Sequence, residues 1–257
     1  MKKALSVLLS LVMALSLSVT AFAENISATD ADAYFEAYAN DFEQYASQKM
    51  LARSATTLDE IVTSFISENG SDYDMALLQE STKAETIYVD GENSITLDGI
   101  MVYVNGTSDV EVTPERAAKG AIDPNNLARA ARSITPVKSY YHAVYALLLG
   151  QEIYRITQEA QFTYTGSSVS VNYSDGYYEK GFLSIWQVSD FEDSKESTIN
   201  GSAVVKSAAN FHYGLEINGI GLVIQDNYCW VDVRCTKSGS VSGYCDGGHN
   251  DPIFDIL

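Results

Sequence analysis

Short runs of residues in which every second position is apolar, separated by dipeptides that tolerate a left-handed backbone, constrain this chain more than any other feature. Ile87, Val89, Ile95, Leu97, Val102 and Val104 alternate with polar neighbours, and Asp90-Gly91, Asp98-Gly99 and Asn105-Gly106 fall between the runs. A period of two turns one face of a strand to a core and the other to water. Asp-Gly and Asn-Gly supply the positive φ of tight hairpin turns. Residues 85 to 113 therefore read as a small antiparallel meander.

The alternation resumes further on. Tyr154, Ile156, Ala160, Phe162 and Tyr164 interleave with Arg155, Thr157, Glu159 and Gln161, the pattern of a long half-buried strand. More strands are expected at about Val169 to Tyr173, Phe182 to Val188, Ala203 to Ser207, Phe211 to Ile217, Ile220 to Gln225 and Tyr228 to Cys235, with Asn218-Gly219 the clearest hairpin signal. Tyr140 to Leu149 is ambiguous, because apolar residues fall on every face.

Ahead of the meander the period is helical. Phe35, Tyr38, Phe42 and Tyr45 recur at spacings of three and four within Thr29 to Arg53, with acidic residues near the start and Lys49 and Arg53 near the end, as the helix dipole favours. A second helix begins at the capping box Thr57-Leu58-Asp59-Glu60, presents Ile61, Val62, Phe65 and Ile66 on one face, and can end at Gly70.

Residues 114 to 138 differ from both halves: Pro114, Pro124 and Pro136 lie here among Arg116, Lys119, Arg129, Arg132 and Lys138. A basic, proline-containing stretch of this kind reads as a linker, and an accessible linker is where processing would occur. The expected fold class is α+β: N-terminal helices with a small β-meander over residues 24–113, the linker, then a C-terminal antiparallel β-sandwich or open barrel over residues 139–257.

The start of the chain bears on location. Lys2 and Lys3 precede an uncharged apolar run from Ala4 to Thr20, and Ala21-Phe22-Ala23 is a small-x-small cleavage pattern, so residues 1–23 read as a secretion signal with the mature chain starting at Glu24. A membrane anchor is the competing reading, but the run is short for a bilayer span and holds four Ser and one Thr. No Cys follows the cleavage pattern to accept a lipid, so a secreted, extracellular protein without a membrane anchor is expected.

The full chain has a formal charge of −18; losing Lys2 and Lys3 would leave 14 basic against 34 acidic side chains, or −20. Such a surface repels nucleic acid and anionic membranes, because binding a polyanion needs basic groups to displace its counterions. Solubility is the plain reading of the charge, and calcium binding the sharper one.

The chemistry-bearing residues form no recognised catalytic signature. There is no G-x-S-x-G elbow, phosphate-binding loop, H-E-x-x-H helix or dinucleotide fingerprint. No cofactor is expected, and no metal site. Four residues along a strand hold His212 and Glu216 about 13 Å apart. Cys235, Cys245, His249 and Asp251 match no paired zinc spacing. Cys235 and Cys245 flank a Gly-containing stretch that could fold back as a hairpin, so these two are the disulfide candidates, with Cys229 left over. A carboxylate pair acting as an extracellular hydrolase on wall polymer or peptide stays open, since with 34 acidic side chains only separation in space would reveal it.

Aromatic residues are the remaining signal. Trp186, Trp230 and many tyrosines, among them Tyr164, Tyr173, Tyr177, Tyr178, Tyr213 and Tyr228, crowd the β-rich half. Flat rings bind sugars or protein surfaces, although strand propensity and core packing explain most of them. Tyr177 and Tyr178, beside Asp175-Gly176, are the pair expected at the surface, and Trp186 completes the candidate ligand-binding set. An exported, non-enzymatic binding protein for an extracellular glycan or protein is the leading expectation.

The block from Phe162-Thr163-Tyr164-Thr165-Gly166 through Leu183-Ser184-Ile185-Trp186-Gln187-Val188 to Phe211-His212-Tyr213-Gly214-Leu215-Glu216 resembles uncharacterised secreted proteins of Gram-positive, clostridia-like bacteria. The resemblance covers about the last hundred residues. It implies a bacterial, secreted, β-rich protein and carries no activity or site residue with it.

Overall fold

A computed structural model describes residues 28–51, 57–109, 133–147, 151–181, 186–217 and 220–247. The expected secretion signal lies outside these residues, as does the greater part of the 114–138 segment.

Helix α1 (Ala28–Leu51) buries Phe35, Tyr38, Ala39, Phe42 and Ala46, whose spacing keeps them on one face. Helix α2 (Leu58–Asn69) starts at the expected capping box: the Thr57 hydroxyl accepts from the Glu60 amide at 3.2 Å, and the Glu60 carboxylate accepts from the Thr57 amide at 3.0 Å. Phe42 of α1 stacks on Phe65 of α2 with centroids 4.0 Å apart, which locks the two helices together. Gly70 ends α2 in a right-handed conformation and leads into a short 3-10 turn, Gly70–Asp72. A third helix, α3 (Met75–Glu80), was not expected. Asp74 caps it by accepting from the amides of Ala76 and Leu77, and Leu78 drops into the core.

The strands form two open antiparallel sheets, not a closed barrel. In the first, β1 (Ala84–Asp90), β2 (Asn93–Asp98) and β3 (Met101–Asp109) form the meander. Strand β3 pairs onward with β5 (Lys138–Ala146), and β5 with β6 (Gln151–Tyr164). Strand β7 (Val169–Lys180) runs along the far side of β6, while the two-residue β4 (Ser133–Ile134) prolongs the β5 side. The second sheet has the order β11-β10-β9-β8, from β8 (Gln187–Ile199), β9 (Ser202–Ile217), β10 (Ile220–Cys235) and β11 (Val241–Gly247).

Gly91 and Gly99, at φ 62° and 52°, make two of the three expected meander turns. The third expectation is corrected. Asn105-Gly106 is no turn but lies inside β3, opposite His142 and Tyr141 of β5. A Cβ on Gly106 would come within 2.2 Å of the Tyr141 ring, so this glycine serves close packing. The expected pairs of strands at 203–207 with 211–217 and at 220–225 with 228–235 are each one continuous strand, β9 and β10, with a bulge between Val223 and Gln225. Asn218-Gly219 lies outside the described residues, but Ile217 and Ile220 on either side pair with each other.

Alternation along the central strands builds a three-layer molecule. Val102 and Val104 of β3 and Ala143 and Tyr145 of β5 face the helices, where they join Ile61, Phe65, Leu78, Ile95 and Leu97. Tyr103, Tyr140 and Val144 point the other way, and with Tyr154, Ile156, Ala160 and Phe162 of β6 they meet Val205, Ala209, Phe211, Cys229, Val231 and Val233 of the second sheet. The first sheet is therefore sandwiched, with helices on one face and the second sheet on the other.

Burial raises the ionisation of Tyr38, Tyr103, Tyr145 and Tyr154 well above the ordinary tyrosine range. In an unfolded chain these phenols ionise near pH 10, so above that pH the unfolded state loses protons that the native state keeps. Stability is thus fully present below about pH 10 and falls as pH rises past it. An alkaline titration followed by phenolate absorbance and circular dichroism should show these tyrosines ionising together with loss of structure. Smooth ionisation with the fold intact would contradict the packing described.

Candidate functional site

The same alternation that buries one face of the second sheet displays the other. On β10, Cys229, Val231, Val233 and Cys235 point inward, so Tyr228, Trp230, Asp232 and Arg234 project outward. Register brings Lys206 of β9 and Tyr244 of β11 to either side of Asp232. Tyr228 is 43% and Tyr244 49% exposed, while Trp230 is half-buried. Val204 and Ala208 are buried at the foot of these larger side chains.

Cations organise the rings. The Lys206 ammonium lies 4.6 Å from the centre of the Trp230 ring and 5.6 Å from that of Tyr228, within cation–π range of both. The Arg234 guanidinium lies 4.2 Å from the Tyr244 ring centre and holds Asp232 bidentately, at 3.0 and 2.7 Å. Lys195, across from Lys206 on β8, pairs with Glu192. Asp232 is 3% exposed and its carboxylate is already engaged, so Lys206 has no carboxylate partner among the described residues. Together these side chains form a firm aromatic platform with one uncommitted positive charge.

The residues singled out from sequence lie elsewhere. Tyr177 and Tyr178 are neighbours on β7 and so point to opposite faces. The Tyr177 hydroxyl lies 3.5 Å from buried Glu159, which also accepts from Tyr173 at 3.1 Å. Tyr178 is 41% exposed and turns toward the second sheet, edge-on to Phe191 at 5.0 Å and to Phe211 at 6.3 Å. Trp186 is buried against Tyr154 at 5.5 Å, and Tyr154 stacks on Phe211 at 4.0 Å. Trp186 and Tyr178 thus belong to one aromatic array between the sheets, and Tyr177 is apart from both. Tyr244 was missed in the sequence because it follows a turn-like stretch. Its alternation with Gly243 and Cys245 was the available sign.

The cysteines correct another expectation. Cys235 pairs with Val241, and Cys245 with Val231, so the two sulfurs are four positions apart along the ladder, about 13 Å. They are free thiols in the structure and cannot join without moving the sheet. The same separation keeps them from sharing a zinc ion, and His249 and Asp251 lie outside the described residues. Burial pushes the Cys235 thiol up to about 11 and raises Cys245 further, so neither is activated as a nucleophile. Cys229 is buried beside the Tyr154 hydroxyl, 3.7 Å away. Among the described residues no group of three His, Cys, Asp or Glu side chains converges to hold a metal.

One carboxylate pair does come together. Arg155 of β6 contacts Asp59 of α2 at 3.0 Å and Glu152 at 2.5 Å, and its guanidinium covers the Tyr141 ring at 4.3 Å. The Tyr145 hydroxyl accepts from Arg155 at 3.1 Å and donates to Asp59 at 2.5 Å. Both carboxylates are thereby tied to one guanidinium, and the cluster pins the start of α2 to the sheet. Asp59 also suits the first turn of its helix. Comparison with protein-family models, with curated proteins and with solved structures finds no match to this chain.

Proposed function

We propose that this is an exported, extracellular binding protein of a Gram-positive bacterium, and that it engages a glycan or protein ligand through the outer face of its second sheet. The observation that carries this reading is the set Tyr228, Trp230 and Tyr244: large rings at water-facing positions, organised by Lys206 and Arg234, on strands whose other face already supplies the core. Core packing explains aromatic residues that point inward and leaves these three unexplained. Trp, Tyr and Arg are also the side chains that most often dominate binding energy. The acidic composition, which disfavours nucleic acid, and the amino-terminal signal pattern support an extracellular setting.

The test is binding of the purified protein to a panel of wall polymers, host glycans and surface proteins, with product release followed in the same wells. Capture without turnover is expected, weakened at least about tenfold by Trp230→Ala, the loss of a typical hot-spot ring. Capture that survives both Trp230→Ala and Tyr244→Ala would remove this face from the proposal. Product release would turn attention to Asp59 and Glu152.

A further inference from the structure

We infer that the ligand of this platform is an oligosaccharide bearing an isolated carboxylate, with its sugar rings on the faces of Tyr228 and Trp230 that Lys206 leaves open and its acid group on Lys206. The inference rests on the proposed binding role of this face and adds the chemical class of the ligand. Two rings two positions apart on one strand lie about 7 Å from each other, close to the spacing of adjacent sugars in a chain. The electron-rich ring face attracts the slightly positive C–H face of a pyranose as it attracts a cation.

Charge distinguishes an acidic sugar from a neutral one. An ammonium has three donors, and among the described residues that of Lys206 contacts ring faces, at 4.6 and 5.6 Å. Of the neighbouring charges, Asp232 is held by Arg234 and Lys195 pairs with Glu192, while Asp246 of β11 lies opposite Trp230. A ligand carboxylate would give Lys206 an acceptor without displacing any existing ion pair. The chain's overall charge of −18 then sets how many acid groups are tolerated. With screening over about 8 Å at physiological salt, one carboxylate on Lys206 meets that lysine beside Asp232, which Arg234 neutralises, and Asp246, whereas a densely charged polymer extends into the acidic remainder of the surface.

The test uses the purified protein and three probes: a trisaccharide with one glucuronic acid, the same trisaccharide with that carboxyl reduced to the alcohol, and a heavily sulfated oligosaccharide. The acidic trisaccharide is expected to bind about tenfold more tightly than its reduced form, the gain of one charge-assisted hydrogen bond. Lys206→Met should erase that difference, Lys206→Arg should keep it, and Trp230→Ala should weaken both trisaccharides. Melting temperatures of the variants establish that each is folded.

Equal binding of both trisaccharides, with Lys206→Met silent, overturns the acid preference and leaves the platform standing. Strongest binding by the sulfated probe overturns the isolated-charge argument. Binding by no probe overturns the glycan occupant, and the platform is then judged on its capture of surface proteins.

Discussion

Replacing Arg155 with Met will lower stability by about 3–5 kcal/mol, the cost of leaving partly buried carboxylates without their cation. That corresponds to a melting temperature roughly 10 °C lower for a chain of this size. The side chain of Arg155 is only 15% exposed, and those of Asp59 and Glu152 are 30% and 23% exposed, so water compensates poorly for the lost guanidinium. Tyr145 would still donate to Asp59, but Glu152 would keep only the longer 3.3 Å contact with the same hydroxyl. Adding Glu152→Gln to Arg155→Met removes one of the stranded charges and should recover part of the loss. A single Arg155→Met change that leaves the thermal transition within a degree or two would show that the cluster is solvated and that other contacts hold α2 to the sheet.

Gly243→Val is expected to destabilise by about 3 kcal/mol, the upper part of the usual range for forcing extra atoms into a packed core. Gly243 sits in β11 opposite Val233, and the Tyr140 ring of β5 lies directly against it: an added Cβ would fall 1.8 Å from that ring. Backbone and ring cannot both stay in place, so either β11 leaves the sheet or the two sheets separate at that edge. Gly243 also donates its amide to Glu92, in the turn between β1 and β2, at 3.0 Å. Displacing β11 therefore removes a contact between the two sheets as well. Denaturant unfolding of Gly243→Val beside Tyr140→Ala and the double variant would test the coupling. Because a small residue at 140 makes room for the valine, the double variant should be more stable than the sum of the single changes implies. Simple additivity would rule out the clash.

How much of this was legible follows from what each position carries. Strand β2 alternates Ile95 and Leu97 with polar residues, and the Thr57 capping box is complete within four residues, so both could be read locally. Strand β8 could not. Glu192, Asp193, Lys195 and Glu196 leave it no apolar stripe, its inward contribution is limited to Val188 and Phe191, and bulges at Asp190 and Ser194, with φ of 52° and 49°, break its period. It is an edge strand, and charge with irregularity is what discourages pairing with other chains there.

Gly106 reads as a turn residue in the sequence, because a sequence does not distinguish a glycine that bends the chain from one that, like Gly106 and Gly243, lets a distant tyrosine approach. The proposed disulfide needed the register of β10 against β11, which depends on where the hairpin turns. The split of Tyr177 from Tyr178 was available from strand geometry alone, whereas the Trp230 platform required knowing which face of β10 met the first sheet.

Apart from the two-residue β4, every described strand pairs with a strand adjacent to it in the order of the chain: β1 with β2, β2 with β3, β3 with β5, β5 with β6, β6 with β7, and then β8 through β11 in succession. No described strand has to wait for a partner from the far end of the polypeptide. A chain threaded through a pore from its amino end could lay down each hairpin as it emerged, leaving only the closure of one sheet on the other for last. Apart from the connection between β3 and β5 over residues 110–137, the loops are short and close at little entropic cost, so assembly in this order limits the time that unpaired strand edges are open to other molecules.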